Sequence, residues 1–350
     1  MSEQRAWSDA VWYGTGVAAA ASRLALVPAE RLFGAIVGAR DILYDAGWLP
    51  AHETPIVAIS VGNLTVGGTG KTPIAAWLAR GLVARGARPA IVLRGYGDDE
   101  PLVHQRLNPD VPVVVNADRV VGVTEAHARG ADVAVLDDAF QHRRVQRLAD
   151  LVLISADRWT DEVHLLPAGP WREPLKSVRR ATLLIVTRKA ATDQTVEAVH
   201  ERLSRVAPGV PRVSVRFTLG ELIDATNSTN RQPLEVIAGS TVHAVLSIAD
   251  PNAFVRQLEA RGAGVRATIF PDHHAFTSRD VERIAGDIGH AQWVLCTLKD
   301  AVKLAPSWPR LAPPLWYVSQ DVLVERGVGG VERVLDDVVR VRPKMPSTAG

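Results

Sequence analysis

Short apolar runs rich in β-branched residues alternate with helical patterns over most of the chain. In the first part of the chain these runs predict strands at residues 56–61, 89–93, 111–115, 133–136, 151–154 and 182–186. Helical patterns lie between them at residues 73–86 and 117–129. Continuous apolar strands separated by helices are typical of a buried parallel sheet. This part of the chain therefore predicts a doubly wound α/β domain.

The same alternation returns nearer the C-terminus and predicts a second, smaller α/β domain. Its strands are expected at residues 242–248, 266–270, 293–297 and 315–318, and its helices at 252–261, 278–288, 300–304 and 331–339. The stretch between the two parts, residues 213–233, alternates and then turns polar. This pattern predicts an extended linker that forms one arm of a small hairpin, with a turn near residues 227–230. The expected divisions are 1–50, 51–212, 213–233 and 234–350.

The N-terminal region predicts two helices, at residues 11–28 and 29–47. The first is too short, and too clearly interrupted by Arg23, to predict a transmembrane helix. Two interpretations stay open. The helices could cover the core, or they could form a monotopic anchor in a membrane surface. In the second case the aromatic residues near the interface would be Trp7, Trp12, Tyr13, Phe33 and Trp48.

Composition narrows the function only a little. The 350 residues allow two or three domains, and 47% of them are hydrophobic, which suits a sizeable core. A net charge of +2 is too weak to indicate nucleic acid as a partner. The single cysteine, Cys296, excludes an internal disulfide. No cysteine and histidine cluster has zinc spacing, no signal peptide is convincing, and no obligate protein partner is evident.

A glycine-rich loop follows the first predicted strand and precedes a helical pattern. Strand, glycine loop and helix form the context in which a loop binds phosphate through backbone N–H groups. Lys71 is expected to reach the β- and γ-phosphates, and the Thr72 hydroxyl to hold Mg²⁺. The strict pattern has glycine where this chain has Thr65, and a chance glycine turn is the alternative. The residues assigned to nucleotide binding are Thr65, Gly67, Gly68, Thr69, Gly70, Lys71 and Thr72.

Asp137 and Asp138 follow the apolar run 133–136. A buried strand that delivers a carboxylate beside a phosphate-binding loop is the Walker B arrangement, whose carboxylate binds Mg²⁺. Adjacent residues of a strand point to opposite faces, so only one aspartate is expected at the metal unless the strand ends there. An acidic turn after a strand is the alternative interpretation.

Other candidates are weaker on residue type alone. Asp99 and Glu100 lie in a polar loop after a strand, and His273 and His274 lie in the predicted second domain. A carboxylate with a histidine partner is a plausible base for taking a hydroxyl proton during phosphoryl transfer, which would place the reaction between the domains. A structural loop is the alternative for the histidine pair. The proline-rich segment 165–181 is either a solvated connection or a basic lip for an anionic substrate.

Taken together, these motifs resemble one family closely, the tetraacyldisaccharide 4′-kinases, which are lipid A kinases. The phrases that carry the resemblance occur in the family's order and are VGNLTVGGTGKTP (61–73), RGYG (94–97), DEP (99–101), LDDAFQHRR (136–144), LLPAGPWREP (165–174), DHHAF (272–276) and TLKDAVKL (297–304). The likeness covers about residues 25–320 of the chain.

The resemblance implies a P-loop NTPase-like α/β core joined by a β-ribbon linker to a smaller α/β domain, with N-terminal membrane-associated helices. It implies transfer of the ATP γ-phosphate to the 4′-hydroxyl of a tetraacyldisaccharide 1-phosphate, which gives lipid IVA. The implied cofactors are ATP and Mg²⁺. The implied partners are the lipid A disaccharide 1-phosphate and the inner leaflet, at the cytoplasmic face of the bacterial inner membrane.

The resemblance also implies roles for residues. Asp99 is the implied base, with His273 orienting it and Glu100 close by. Lys71 and Thr72 serve the triphosphate and the metal, and Asp137 and Asp138 serve Mg²⁺. The implied substrate-side residues are Tyr96, Glu100, Arg119, Gln141 and His142.

Three departures from the family pattern affect the second domain and the substrate side. One residue, Asp98, stands where many members carry a longer loop. LSIADP at 246–251 replaces a glycine-rich turn, and Leu298 replaces a glutamate. These changes leave Lys71 and Asp99 untouched.

Two rival functions belong to other classes. A P-loop GTPase or ATPase regulator of the metallochaperone type would be favoured by a guanine-reading NKxD phrase, which the chain lacks. A non-catalytic membrane scaffold that only holds ATP is disfavoured by the presence of Asp99 together with the Asp137–Asp138 pair.

Overall fold

The computed structural model describes residues 2–95, 99–248, 250–272 and 274–343, with side chains described from residue 7 onward. The chain divides into two compact units. The larger unit contains the described residues of Glu3–Gly95, Leu107–Arg216 and Val322–Gly350. The smaller unit contains those of Tyr96–Arg106 and Phe217–Asp321.

The described elements alternate between helix and strand, as the apolar pattern predicted. The helices are α1 (Ser2–Tyr13), α2 (Val17–Asp45), α3 (Lys71–Val83), α4 (Asp99–Leu107), α5 (Arg119–Ala128), α6 (Asp193–Val206), α7 (Pro251–Glu259), α8 (Ser278–Gly286), α9 (Leu298–Leu304) and α10 (Val328–Val341). The strands are β1 (Val57–Asn63), β2 (Pro89–Leu93), β3 (Val113–Val115), β4 (Val133–Asp137), β5 (Ala149–Ser155), β6 (Leu183–Arg188), β7 (Arg212–Asp224), β8 (Arg231–Gln232), β9 (Thr241–Leu246), β10 (Gly264–Ile269), β11 (Trp293–Thr297) and β12 (Leu315–Arg326). Short 3₁₀ turns occur at Leu175–Arg180, Leu234–Ile237 and Ala305–Ser307.

The larger unit is built on a parallel sheet in the order β3-β2-β4-β1-β5-β6-β7. Every residue of β2 and β4 is buried, because helices cover both faces of such a sheet. β1 lies between β4 and β5, with Val61 in register with Asp137. The carboxyl ends of β1 and β4 therefore meet at one edge of the sheet. The predicted doubly wound α/β fold is confirmed.

The smaller unit has its own parallel strands in the order β10-β9-β11-β12. The chain leaves β9 toward one side and returns to its other side, so β9 and β11 flank a topological switch point. Ligands of α/β sheets bind at such points. β7 and β8 form the predicted hairpin, whose turn is closed by the N–H of Asn230 donating to the carbonyl of Asn227 at 3.0 Å.

The predicted boundary between two N-terminal helices is wrong. α2 continues through Pro28, whose ring lies on the exposed side and costs the helix one internal hydrogen bond. The break lies earlier, between α1 and α2. There Arg23 donates to the carbonyls of Val11 and Gly14 at 2.6 and 2.9 Å. Arg23, which interrupts the apolar pattern, thus supplies hydrogen-bond donors to the backbone carbonyls at the end of α1.

Two described helices have no counterpart among the sequence predictions. α4 opens at Asp99 inside the segment interpreted as a polar loop, and α6 lies in residues 187–212, to which no element was assigned.

Among the described helices, none is by itself long and apolar enough to cross a membrane. Only the pair Trp7–Tyr13 and Val17–Asp45, bent by 94° at their junction, reaches that length and composition together.

Candidate active site

The loop between β1 and α3 has the backbone features that phosphate binding requires. Gly67 and Gly70 have φ angles of 114° and 90°, which residues with a Cβ rarely adopt. α3 begins at Lys71, directly after the loop. The N–H groups of its first turn and the positive end of its dipole therefore face the loop. The glycine positions in the sequence are explained by this local geometry.

The side chain of Asn63, the last residue of β1, forms hydrogen bonds with the loop and with the start of α3. Its side chain is buried. Its Nδ2 donates to Oγ1 of Thr69 at 2.9 Å, and its Oδ1 accepts from Nζ of Lys71 at 3.3 Å. Oγ1 of Thr187, in β6, donates to the carbonyl of Thr69 at 3.0 Å. Neither Asn63 nor Thr187 was predicted from the sequence to have a role, although an amide at the end of an apolar strand is a signal that could have indicated Asn63.

The two aspartates after the apolar run of β4 lie where the strand ends. Asp137 is the last residue of β4 and is 4% exposed. Asp138 has a φ angle of 50°, in the left-handed region, so the chain turns sharply at this residue. The alternation that sends adjacent side chains to opposite faces applies only within a strand. Both carboxylates therefore remain candidates for one metal site.

Two cations lie beside the carboxylate of Asp138. Nζ of Lys71 is 3.7 Å from its Oδ1, and Nη1 of Arg172 is 3.0 Å from the same atom. Burial by itself would raise the pKa of the Asp138 carboxyl. The charges of Lys71 and Arg172 outweigh burial and bring that pKa below its ordinary value. The carboxylate is therefore ionised at neutral pH.

Arg172 belongs to a segment that packs against the phosphate-binding loop. Its backbone N–H donates to the carbonyl of Leu64 at 2.7 Å, and the N–H of Val66 donates to the carbonyl of Pro170 at 2.8 Å. The neighbouring Trp171 is 3% exposed. The interpretation of residues 165–181 as a plain solvated connection is therefore wrong for this part of the segment. Its use as a lip for an anionic substrate stays a prediction.

Arg119 and Gln141 bind backbone carbonyls around the loop and the aspartates. Arg119 is 2% exposed, and its Nη1 donates to the carbonyl of Asn116 at 3.0 Å. Nε2 of Gln141 donates to the carbonyl of Asn63 at 2.8 Å. These contacts place both side chains at the same end of the sheet as Lys71.

His142 is neutral at physiological pH. Burial of the ring lowers its pKa most, and the nearby charge of Arg119 lowers it further, to about 4. Within the described part of the chain, Nε2 of His142 is buried without a hydrogen-bond partner. A buried polar atom of this kind suits a bound ligand that would satisfy it.

The larger unit has a donor set that fits a magnesium-bound triphosphate better than a metal held by protein alone. In the described ranges, no three His, Cys, Asp or Glu side chains are grouped so that they could hold a metal ion. Mg²⁺ typically takes one or two carboxylates and completes its coordination with phosphate oxygens and water. Asp137 and Asp138 could supply the carboxylates, and Thr72, in the first turn of α3, could supply a hydroxyl.

Asp99 lies in the smaller unit, at the first residue of α4, and is 4% exposed. Nζ of Lys299, from α9, is 3.7 Å from Oδ2 of Asp99 and 3.6 Å from Oδ1 of Asp272. No role for Lys299 was predicted from the sequence. Glu100 follows Asp99 and is half-buried. Tyr96 and His273, two of the predicted site residues, lie outside the described residues.

Two of the departures from the family pattern, the described residues of 246–251 and Leu298, lie in the packing of the smaller unit, whereas Asp98 lies outside the described residues. The N–H of Ser247 donates to Oδ1 of Asp300 at 3.0 Å, and Nζ of Lys303 donates to Oγ of Ser247 at 2.6 Å. Asp250 caps α7 by accepting an N–H of its first turn at 3.0 Å. Leu298 packs against the apolar core of the unit. These replacements therefore have structural partners of their own.

Comparison with known proteins agrees with this geometry. The family model of tetraacyldisaccharide-1-P 4′-kinase matches residues 22–99 and 97–340. A tetraacyldisaccharide 4′-kinase of Anaeromyxobacter dehalogenans is 37% identical over 358 residues, which cover 94% of each chain. One of Xanthomonas campestris is 32% identical over 325 residues, covering 87% of this chain and 90% of the relative.

A solved structure extends the likeness to three dimensions. The crystal structure of LpxK from Aquifex aeolicus in complex with ATP has a TM-score of 0.72 and 29% identity, and the match covers 91% of this chain and 99% of that chain. The motifs, the sheet order and these matches lead to one conclusion: the chain belongs to the tetraacyldisaccharide 4′-kinase family.

Proposed function

We propose that this chain transfers the γ-phosphate of ATP to the 4′-hydroxyl of a tetraacyldisaccharide 1-phosphate and so makes lipid IVA. Family membership supports the reaction class, and the ATP complex of the Aquifex aeolicus relative supports the nucleotide. The observation that carries the proposal is the arrangement of Lys71 between Asn63 and Asp138 at the start of α3. That arrangement holds an ammonium group where a phosphate-binding loop needs it.

The loop residues would bind and orient the triphosphate. Backbone N–H groups of the loop other than those of Val66 and Thr69, which donate to protein carbonyls, would cradle phosphate oxygens, and Lys71 would offset their charge. Thr72, Asp137 and Asp138 would hold Mg²⁺, which when bound neutralises further charge on the phosphates. Phosphoryl transfer asks little covalent chemistry of the protein, so positioning and charge carry most of the effect.

Asp99 would take the proton of the sugar hydroxyl late in the transfer, as a general base. Its burial limits the access of water to the carboxylate. The role of His273 as the residue that orients Asp99 stays a proposal from the family resemblance. The substrate-side roles of Tyr96, Glu100, Arg119, Gln141 and His142 are proposed on the same ground. Among these, the neutral ring of His142 would serve as a hydrogen-bond partner rather than as a cation.

The test is an assay of the purified chain with ATP, Mg²⁺ and tetraacyldisaccharide 1-phosphate, scored for a new phosphate on the non-reducing sugar. We expect turnover in the wild-type chain and about a 10²-fold lower kcat for Asp99→Ala, with little change in ATP affinity, because the base acts only in the transfer step. Nucleotide hydrolysis without a phosphorylated sugar would instead favour the metallochaperone-type regulator. Full turnover by Asp99→Ala would remove the base assignment.

We also propose that α2 rests on a membrane surface, at the cytoplasmic face of the bacterial inner membrane. Apart from Arg31 and Asp45, every exposed residue of α2 is apolar. The large side chains among them include Leu24, Leu32, Ile36 and Ile42, which are 72%, 65%, 61% and 68% exposed. An exposed apolar stripe of this length is typical of a helix that lies in the bilayer interface.

The other polar residues of α2 face the protein instead of the solvent. Oε1 of Glu30 accepts the N–H of Leu165 at 2.7 Å, and Nη2 of Arg40 is 2.7 Å from Oε1 of Glu173. This polarity is the reverse of that expected for a helix on the surface of a soluble protein. It also argues against the interpretation in which the N-terminal helices only cover the core.

Charges placed on the apolar stripe should weaken membrane association. We expect Leu32→Lys with Ile36→Lys to lower the fraction of protein bound to anionic liposomes by about tenfold, because two ammonium groups would have to enter the acyl boundary. Co-sedimentation with the vesicles measures it. Leu311→Lys with Leu323→Lys changes two other exposed leucines equally and is the control. Equal binding of both double variants would reject the α2 surface as the membrane contact.

A further inference from the structure

Charged side chains gather near the switch point of the smaller unit. α9, which follows β11, carries Lys299 and Lys303 one turn apart, so both lie on one side of the helix. Asp272 follows β10, and Asp99 opens α4. Lys299 links the last two, with its Nζ within 3.7 Å of a carboxylate oxygen on each.

Lys303, the second lysine of α9, bonds to other partners. Nζ of Lys303 donates to Oγ of Ser247 at 2.6 Å and to the carbonyl of His274 at 3.1 Å, and it lies 3.6 Å from Oδ1 of Asp300. Burial lowers the pKa of Lys303, while the charges of Asp300 and Asp99 act in the opposite direction. Lys303 therefore serves chiefly the buried Asp300, and Lys299 is the lysine at ion-pair distance from Asp99.

Two carboxylates that share one ammonium group lie close to each other. Asp99 is 4% exposed, the side chain of Asp272 is 9% exposed, and that of Lys299 is 28% exposed. Water screens such charges weakly. Without the ammonium group the two carboxylates would repel each other, and one of them would bind a proton at a higher pH. A protonated Asp99 could not accept a proton from a substrate hydroxyl.

We propose that Lys299 is a positioning residue that holds Asp99 beside Asp272 and keeps Asp99 ionised as the base. The proposal rests on the proposed function insofar as Asp99 is that base. Among the described residues, the charged groups that lie around this pair include Asp272 after β10 and, on α9, Lys303 with its partner Asp300. In this assignment Lys299 acts on the reaction through Asp99.

The first experiment measures kcat/KM of the full chain from about pH 5 to pH 9. We expect Lys299→Met to move the acidic limb of the kcat/KM profile to higher pH by about one unit or more, because loss of the cation raises the pKa of the base. Lys299→Arg should leave the acidic limb at its wild-type pH, since this variant keeps the positive charge. Asp272→Asn should move the limb downward, because it removes the competing carboxylate. Arg256→Met, which removes an exposed cation from α7, is the control and should leave the limb in place.

The second experiment does not require activity. Carboxyl ¹³C shifts of labelled aspartate are titrated by NMR in the wild type, Lys299→Met and Asp272→Asn, with Asp99→Asn supplying the assignment of Asp99. A higher pKa of Asp99 in Lys299→Met and a lower one in Asp272→Asn support the proposal. An unchanged pKa of Asp99 in both variants, or a uniform loss of kcat with no movement of the limb, overturns it. If Lys299→Met does not fold, the Asp272→Asn arm decides alone.

The two experiments separate this proposal from the proposed function. A wild-type chain without kinase activity would contradict the function and leave the NMR result to decide the role of Lys299. A wild-type chain with kinase activity and unmoved carboxyl titrations would contradict the role of Lys299 and leave the function standing.

Discussion

Lys71→Ala is expected to lower kcat/KM for phosphoryl transfer by about 10³-fold and to weaken ATP binding, because a preorganised cation at the developing phosphate charge is worth two to three orders of magnitude. In this chain the ammonium group is held in place by Oδ1 of Asn63 at 3.3 Å and by Asp138 at 3.7 Å. The other cation of α3, Arg80, lies in the last turn of the helix.

The same substitution should change stability little. Asp138 keeps its ion pair with Arg172 at 3.0 Å, so its carboxylate is not left without a cation. The loss of activity would then come from the site and not from unfolding. Steady-state kinetics, ATP titration calorimetry and a thermal melt measure the three quantities on one preparation. Arg333→Ala, on the exposed side of α10, is the control. If the activity of Lys71→Ala stayed within about threefold of the control, this loop would not be the phosphate site.

Glu173→Gln is expected to destabilise the larger unit by about 3 kcal/mol, because breaking a buried ion pair leaves two guanidinium groups to share the carboxylate of Asp41. Glu173 is fully buried. Its Oε1 lies 2.7 Å from Nη2 of Arg40 on α2, and its Oε2 lies 2.6 Å from Nη2 of Arg180. A neutral amide cannot balance both guanidinium groups, and its NH₂ would face one of them as a donor against a donor.

Denaturation by urea, followed by tryptophan fluorescence, measures the change in the free energy of unfolding. Glu201→Gln is the matched control, since Glu201 pairs with Arg205 at 3.3 Å on the surface with both side chains exposed. We expect this control to change stability by less than about 1 kcal/mol. If the two substitutions lowered the free energy of unfolding equally, the ion pairs of Glu173 with Arg40 and Arg180 would not fasten α2 to the rest of the unit.

The local signals in the sequence were sufficient for much of the fold. The apolar runs predicted β1 to β6 of the larger unit, because a strand buried on both faces needs apolar side chains at every position. β7, the other strand of that sheet, lies in the stretch that was interpreted as a linker. Strand, glycine loop and helix together predicted a helix from Pro73, and α3 begins two residues earlier, at Lys71. The polar hairpin of β7 and β8 was predicted from its alternation and its asparagine turn. Each of these signals lies within a few neighbouring residues.

Two helices escaped prediction for different reasons. α4 is short and carries more polar than apolar side chains, and Pro101 in its first turn resembles loop composition while being compatible with a helix start. α6 does show the helical spacing Val196, Val199 and Leu203, with Thr192 as its N-cap, so its pattern was readable. Pro28 had the opposite effect: a helix end was predicted there, whereas α2 continues through it.

By itself the sequence determined the class of the fold, the phosphate-binding loop, the acidic end of β4 and the family, because these depend on contiguous residues in fixed spacing. Only the tertiary structure decided that Arg172 pairs with Asp138, that Glu173 fastens α2, and that Lys299 lies between Asp99 and Asp272. Partners such as Arg172 and Asp138, or Lys299 and Asp99, are distant along the chain. Charge attraction acts through space, so a pattern of neighbouring residues contains no record of it.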